Sequence, residues 1–124
     1  MQVRIIAVDD EPDILKIVII SLAKWGYKVD AFTDPIAALD RFREDASAYS
    51  LILTDIKMPG MSEQELAGHA KEIRPDIKVM VMTAFKVNRD LGKALPSIER
   101  HGFLQKPFHT AEVCAAVRRP LAAA

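Results

Sequence analysis

The feature that most limits what this chain can become is a change of hydrophobic period that recurs along its length. Short unbroken apolar runs mark strands covered on both faces, whereas apolar residues returning every three or four positions mark a helix with one buried side. Val3 to Val8 is the first such run. Pro12 follows where a first helical turn tolerates proline, and Leu15, Val18, Leu22 and Trp25 carry a helical spacing to Gly26, which suits a helix end against which Trp25 is expected to pack. Tyr27 to Phe32 reads as a second strand, and Asp34-Pro35 as the N-cap and first-turn proline of a helix bearing Ile36, Leu39 and Phe42. Tyr49 to Thr54 is a third strand, and Ser62-Glu63-Gln64-Glu65 matches a capping box that opens a helix through about Ile73. Ile77 to Met82 and Phe103 to Gln105 read as the fourth and fifth strands, ahead of a last helix from Thr110 to Arg119. The stretch from Val87 to Ile98 is expected to be helical but short or broken, because Gly92 and Pro96 interrupt it and an interior proline costs about 3 kcal/mol. Leu121 to Ala124 is expected to fray.

Strands alternating with helices in this way predict one α/β domain over residues 1–124, built on a doubly wound parallel sheet. Composition narrows what it could do. Lys plus Arg (17) equals Asp plus Glu (17), so no basic excess marks a nucleic-acid surface, and no polybasic tract marks a membrane surface. Ile17-Val18-Ile19-Ile20 is far too short to span a bilayer. One cysteine, Cys114, excludes an internal disulfide and reads as a small core residue. A cytoplasmic protein touching neither nucleic acid nor membrane is the expectation. His69, His101 and His109 are scattered and show no metal-ligand spacing.

In open α/β sheets, ligands bind at the carboxyl ends of the strands. Here those ends carry Asp9-Asp10, Asp55, Thr83 and Lys106-Pro107. Taken singly, Asp9-Asp10 would be a helix N-cap, Asp55 a turn residue, Thr83 a strand end and Lys106 a solvated cation. Brought together, three carboxylates repel one another and call for a cation. An oxygen-rich site with open positions suits Mg²⁺. A carboxylate can also act as a nucleophile toward phosphorus, and a hydroxyl and an ammonium can bind phosphoryl oxygens.

Four blocks resemble a known family: Val8-Asp9-Asp10-Glu11-Pro12, Leu53-Thr54-Asp55-Ile56-Lys57-Met58-Pro59-Gly60-Met61, Met82-Thr83-Ala84 and Phe103-Leu104-Gln105-Lys106-Pro107-Phe108. In this order, and at intervals of 45 to 46, 28 and 23 residues between key side chains, they resemble the signature blocks of response-regulator receiver domains. The resemblance runs from about Val3 to Arg119 and implies a flavodoxin-like (βα)5 fold with strand order 2-1-3-4-5. It implies that Asp55 accepts a phosphoryl group from a histidine kinase or histidine phosphotransfer protein. Asp10 and Asp55 would then ligate Mg²⁺ directly, Asp9 through a water, and Lys57 through its backbone carbonyl. Thr83 and Lys106 would bind the phosphoryl oxygens, with a cis Lys106-Pro107 bond after the lysine. Phe103 stands at the family's aromatic switch position, a role resting on the resemblance alone, because an aromatic there packs in either reading. Output would pass to a partner or a fused domain. The resemblance also implies self-catalysed phosphorylation and dephosphorylation rather than turnover of small molecules.

Other classes fit less well. A haloacid-dehalogenase-type hydrolase needs an acid two residues after its nucleophile, where this chain has Lys57. A nucleotide or flavin carrier needs a glycine-rich phosphate loop after the first strand, where this chain has Asp9-Asp10-Glu11. Lys57, Phe85 and the Gly92 and Pro96 pair depart from the family's common pattern. Ile19 and Ile20 lie off the Leu15-Val18-Leu22 stripe, as exposed apolar residues or as a partner or homodimer surface.

Overall fold

The computed structural model describes residues 3–56, 58–84 and 102–122. Its strands are β1 (Arg4–Val8), β2 (Lys28–Phe32), β3 (Leu51–Asp55), β4 (Lys78–Thr83) and β5 (Phe103–Gln105). Its helices are α1 (Pro12–Ala23), α2 (Pro35–Glu44), α3 (Glu63–Ile73) and α4 (Thr110–Ala122), with a 3-10 turn at Ala46–Ala48. All strand pairs are parallel, in the order β2-β1-β3-β4-β5.

The unbroken apolar runs have a simple cause. Successive residues of a strand face opposite sides of the sheet, and here both sides are covered. Ile5, Ala7, Leu51, Leu53, Met80 and Met82 pack with Leu15, Val18 and Leu22 of α1 and Val113, Cys114 and Val117 of α4. Ile6, Val8, Ile52 and Val79 pack on the other side with Leu39 and Phe42 of α2 and Leu66 and Ala70 of α3. Each large side chain buried this way contributes about 1.5–3 kcal/mol.

The helix ends follow their chemistry. Asp34 accepts the Ile36 N–H at 3.0 Å, and Ser62 with Glu65 forms a reciprocal capping box at the start of α3. After α1, Gly26 takes φ +80° while the Tyr27 N–H donates to Leu22 O and the Gly26 N–H to Ala23 O. This is the Schellman pattern, and it turns the chain back toward β2.

Three expectations are corrected. Tyr49 lies outside β3, directly after the 3-10 turn. Its ring is fully buried, and its hydroxyl donates to Asp30 Oδ2 at 2.6 Å, an oxygen that also accepts from Arg4 at 2.9 Å. Burial opposes the charge on Asp30, but the hydrogen bonds from Tyr49 and Arg4 prevail and hold its carboxyl below the usual range. The last helix does not stop near Arg119 but continues through Pro120 to Ala122. Pro120 is buried, its carbonyl accepts from Lys78 Nζ, and Leu121 packs on the core rather than fraying. That packing offsets the one helical hydrogen bond a proline removes. Trp25 is not packed away at the end of α1: it is 55% exposed, with the Arg118 guanidinium 5.1 Å from its ring.

Cys114 is buried as expected, its thiol donating to Ser21 O. The expected helix from Val87 to Ile98, with Gly92 and Pro96, lies outside the described residues, as do Phe85, Lys57 and His101. Among the described residues no helix is long and apolar enough to cross a membrane.

Candidate functional site

Strand register brings the distant blocks to one edge. Val8 pairs with Thr54, so Asp9 and Asp55 are the next residues on neighbouring strands. Asp55 stands opposite Met82, one residue before Thr83, and Thr83 stands opposite Gln105, one before Lys106. The Lys106 N–H donates to Thr83 O at 2.7 Å, and Lys106-Pro107 is cis.

Each acid is held differently. The Asp9 N–H donates to Phe32 O, and its Oδ1 accepts the Glu11 N–H at 2.9 Å. Glu11, not an aspartate, takes the N-cap position of α1, and it makes no side-chain cap. Asp9 therefore shapes the turn before the helix, while Asp10 is exposed. Asp55 Oδ1 accepts the Ile56 N–H at 2.9 Å. Its Oδ2 lies 3.3 Å from Lys106 Nζ, which is also 2.7 Å from Asp9 Oδ2 and 3.6 Å from Glu11. Among the described residues Lys106 is the one cation paired with these acids. One ammonium thus faces a pocket of excess negative charge.

That excess shows in the titration. Burial pushes the Asp9 carboxyl up, and repulsion from Asp55 adds to it, against the Lys106 contact and the Glu11 N–H. Burial likewise pushes Asp55 up, with Asp10 adding, against the pull of Lys106 and the Ile56 N–H. Burial alone would lower Lys106, but Asp9 and Asp55 together hold it above the usual lysine range. A folded carboxyl with a raised pKa keeps its proton longer than the unfolded chain does, so stability falls as pH rises from 3.8 through the raised value. Asp9→Asn is therefore expected to gain stability relative to the unaltered protein as pH rises from about 4 to about 7. Mg²⁺ should shrink that gain. Urea midpoints of both proteins, with and without Mg²⁺, test this, and a pH-independent difference would contradict it.

The donors also fit a hard divalent cation. One carboxylate oxygen from each of Asp9, Asp10 and Asp55 lies within 4.8 Å of the others. Asp9 is 0% exposed, and among the described residues its Oδ2 is met only by the Lys106 ammonium, at 2.7 Å. An all-oxygen set with one buried, under-satisfied carboxylate and one open side suits Mg²⁺ better than a softer ion.

Comparison with known proteins decides the family. A model of the response regulator receiver domain matches residues 5–118. The chain belongs to the response regulator receiver family. It is 36% identical over 121 residues to the response regulator receiver protein CpdR of Brucella abortus, covering 98% of both chains. It is 34% identical over 110 residues to the regulatory protein VanRB of Enterococcus faecalis, of which it spans 47%. Among solved structures, the response regulator TrrA of Thermotoga maritima, determined in complex with Mg²⁺-BeF, superimposes with a TM-score of 0.81 at 31% identity, covering 97% of this chain and 99% of that one.

In this receiver domain the structure thus brings Asp9, Asp10, Asp55, Thr83 and Lys106 to the same sheet edge. The acidic trio is typical of a receiver-domain Mg²⁺ site. Phe103 is half-buried on β5 opposite Val81. Two contributors escape sequence reasoning. Thr54 reads as one more residue of a strand run, and the Ile56 N–H is backbone, which leaves no signature in residue identity. Yet Ile56 N–H orients Asp55, and Thr54 Oγ1 donates to Asp55 O at 3.0 Å.

Proposed function

We propose that this receiver domain accepts a phosphoryl group on Asp55, in a Mg²⁺-dependent transfer from a histidine kinase or histidine phosphotransfer protein, and that the transfer switches partner binding. The observation that carries the reading is the partly buried Asp55 carboxylate at the end of β3, clustered with Asp9 and Asp10 and 3.3 Å from Lys106. One Asp55 oxygen forms a bond to phosphorus as the bond from phosphorus to the donor nitrogen breaks, leaving an acyl phosphate and a neutral imidazole after proton uptake. Lys106 moves from pairing two carboxylates to holding a phosphoryl oxygen, and the Thr83 hydroxyl donates to another. Asp10, Asp55 and the Lys57 carbonyl would ligate Mg²⁺, with Asp9 acting through a water. The ion supplies charge neutralisation for the transferring group.

The same site would release phosphate by attack of water on the acyl phosphate, which makes the domain a timed switch rather than a turnover enzyme. Thr83 and Phe103 relay the state outward, and Thr83→Ala is expected to take up phosphoryl while losing most of the accompanying change in amide chemical shifts. Incubation with Mg²⁺ and acetyl phosphate tests the core reading: one hydroxylamine-labile phosphoryl group per chain supports it, and no adduct refutes it.

The docking face is a second element of the proposal. Ile19 and Ile20 on α1 are exposed, Ile20 by 59%, and Lys16 and Lys24 beside them are also exposed. This face would meet a phosphotransfer partner or a second copy. Ile20→Glu is expected to leave uptake from acetyl phosphate unchanged while slowing transfer from a phosphohistidine protein about tenfold or dissociating a dimer. Unchanged transfer and unchanged sedimentation would remove this face from the proposal.

A further inference from the structure

The turn that carries Asp55 is held by a chain of hydrogen bonds that starts one residue before it. Thr54 is fully buried, in the face of β3 that packs toward α2 and α3, where its neighbours two residues away along the strands are aliphatic. A valine would fill the same space without burying a hydroxyl. The Thr54 hydroxyl instead donates to Asp55 O at 3.0 Å, with Met58 Sδ 3.8 Å away. The N–H on the other side of that peptide, from Ile56, donates to Asp55 Oδ1 at 2.9 Å. The Ile56 carbonyl then accepts the Glu63 N–H at the start of α3 at 3.2 Å.

The peptide joining Asp55 to Ile56 is thus gripped at both ends, its C=O by Thr54 and its N–H by the Asp55 carboxylate. A peptide is planar, so fixing its C=O direction fixes its N–H direction as well. The N–H in turn sets which way Asp55 Oδ1 points and leaves Oδ2 toward Lys106. We infer that Thr54 is a positioning residue: its hydroxyl orients the Asp55–Ile56 peptide and through it aims the Asp55 carboxylate. The inference rests on the reading of Asp55 as the phosphoryl acceptor, but its geometric core does not.

The test uses Thr54→Val, which keeps shape and burial, and Thr54→Ser, which keeps the hydroxyl. Two measurements separate the inference from the proposed function. The first needs no phosphoryl donor: hydrogen exchange at the Ile56 amide is expected to quicken roughly 3- to 10-fold in Thr54→Val and to return toward normal in Thr54→Ser. The second is the maximal phosphorylation rate at saturating Mg²⁺ and acetyl phosphate, expected to fall roughly 3- to 10-fold in Thr54→Val. The half-saturating donor concentration and the calorimetric Mg²⁺ affinity should stay unchanged, and Thr54→Ser should restore the rate. A serine variant as slow as the valine variant would overturn the inference, as would a valine variant with normal Ile56 exchange and normal rate. So would a slow rate traced wholly to weaker Mg²⁺ binding. If the unaltered protein takes no phosphoryl group while Ile56 exchange follows the hydroxyl, the proposed function falls and the positioning role stands.

Discussion

Asp55→Asn is expected to bring phosphoryl uptake from acetyl phosphate down to background. A carboxamide has no anionic oxygen to attack phosphorus and is a poor ligand for a hard cation, so it removes both contributions at once. The loss should not come from unfolding. Asparagine keeps the size of aspartate, and its carbonyl oxygen can still accept the Ile56 N–H that holds Asp55 Oδ1 at 2.9 Å. Burial pushes the Asp55 carboxyl up, which means its charge is a burden to the metal-free fold near neutral pH. The variant should therefore unfold at the same urea concentration as the unaltered protein or higher. Uptake of a normal amount of phosphoryl by a folded Asp55→Asn protein would place the acceptor elsewhere, with Asp10 the first alternative.

Lys106→Met is expected to have the second largest effect, and it bears first on stability. The methionine chain fills much of the space of the lysine stem but removes the ammonium that lies 2.7 Å from Asp9 Oδ2 and 3.3 Å from Asp55 Oδ2. Breaking a buried pair by deleting one partner costs about 3–5 kcal/mol. The cost here should be lower, about 2–3 kcal/mol, because Asp55 is partly solvated and Asp9 can relieve its charge by taking a proton. Mg²⁺ should then recover more stability in the variant than in the unaltered protein, since among the described residues no other cation is paired with these acids. Urea unfolding with EDTA and with Mg²⁺ measures both quantities. Equal stability of the two proteins in EDTA would show that Lys106 does not compensate the acids. Some phosphorylation should survive, because Lys106 holds phosphoryl oxygens and does not attack.

Most of the fold was legible because both faces of the sheet are covered, which makes the strands unbroken apolar runs and leaves the helices as the only periodic segments. The caps at Asp34 and Ser62 behave as their residue types require. Boundaries were less legible where tertiary packing overrides local preference. Pro120 suggests a helix end, but the burial of Pro120 and Leu121 carries α4 past it. Tyr49 looks like strand, yet its backbone N–H donates to Ala46 O of the preceding 3-10 turn, which leaves it outside β3. Trp25 fits the helical spacing but falls in the turn after α1 ends at Ala23, so it meets Arg118 and solvent instead. At the site, the acids, Thr83 and Lys106 announced themselves by side-chain type and spacing. Thr54 and the Ile56 N–H did not, because one is disguised in a strand run and the other belongs to the backbone.

The sheet order has a consequence for how the protein is made. Asp9 follows β1, Asp55 ends β3 and Lys106 follows β5, and β3 lies between β1 and β4 in the sheet. A growing chain that has delivered the three acids still lacks the lysine that tempers them, and β5 has yet to dock on β4. Until that strand emerges, the acids form a concentrated negative spot without the Lys106 ammonium that lies among them in the folded domain. The charge balance of the site would then arrive late, as β5 pairs with β4 and brings Lys106 beside Asp9 and Asp55.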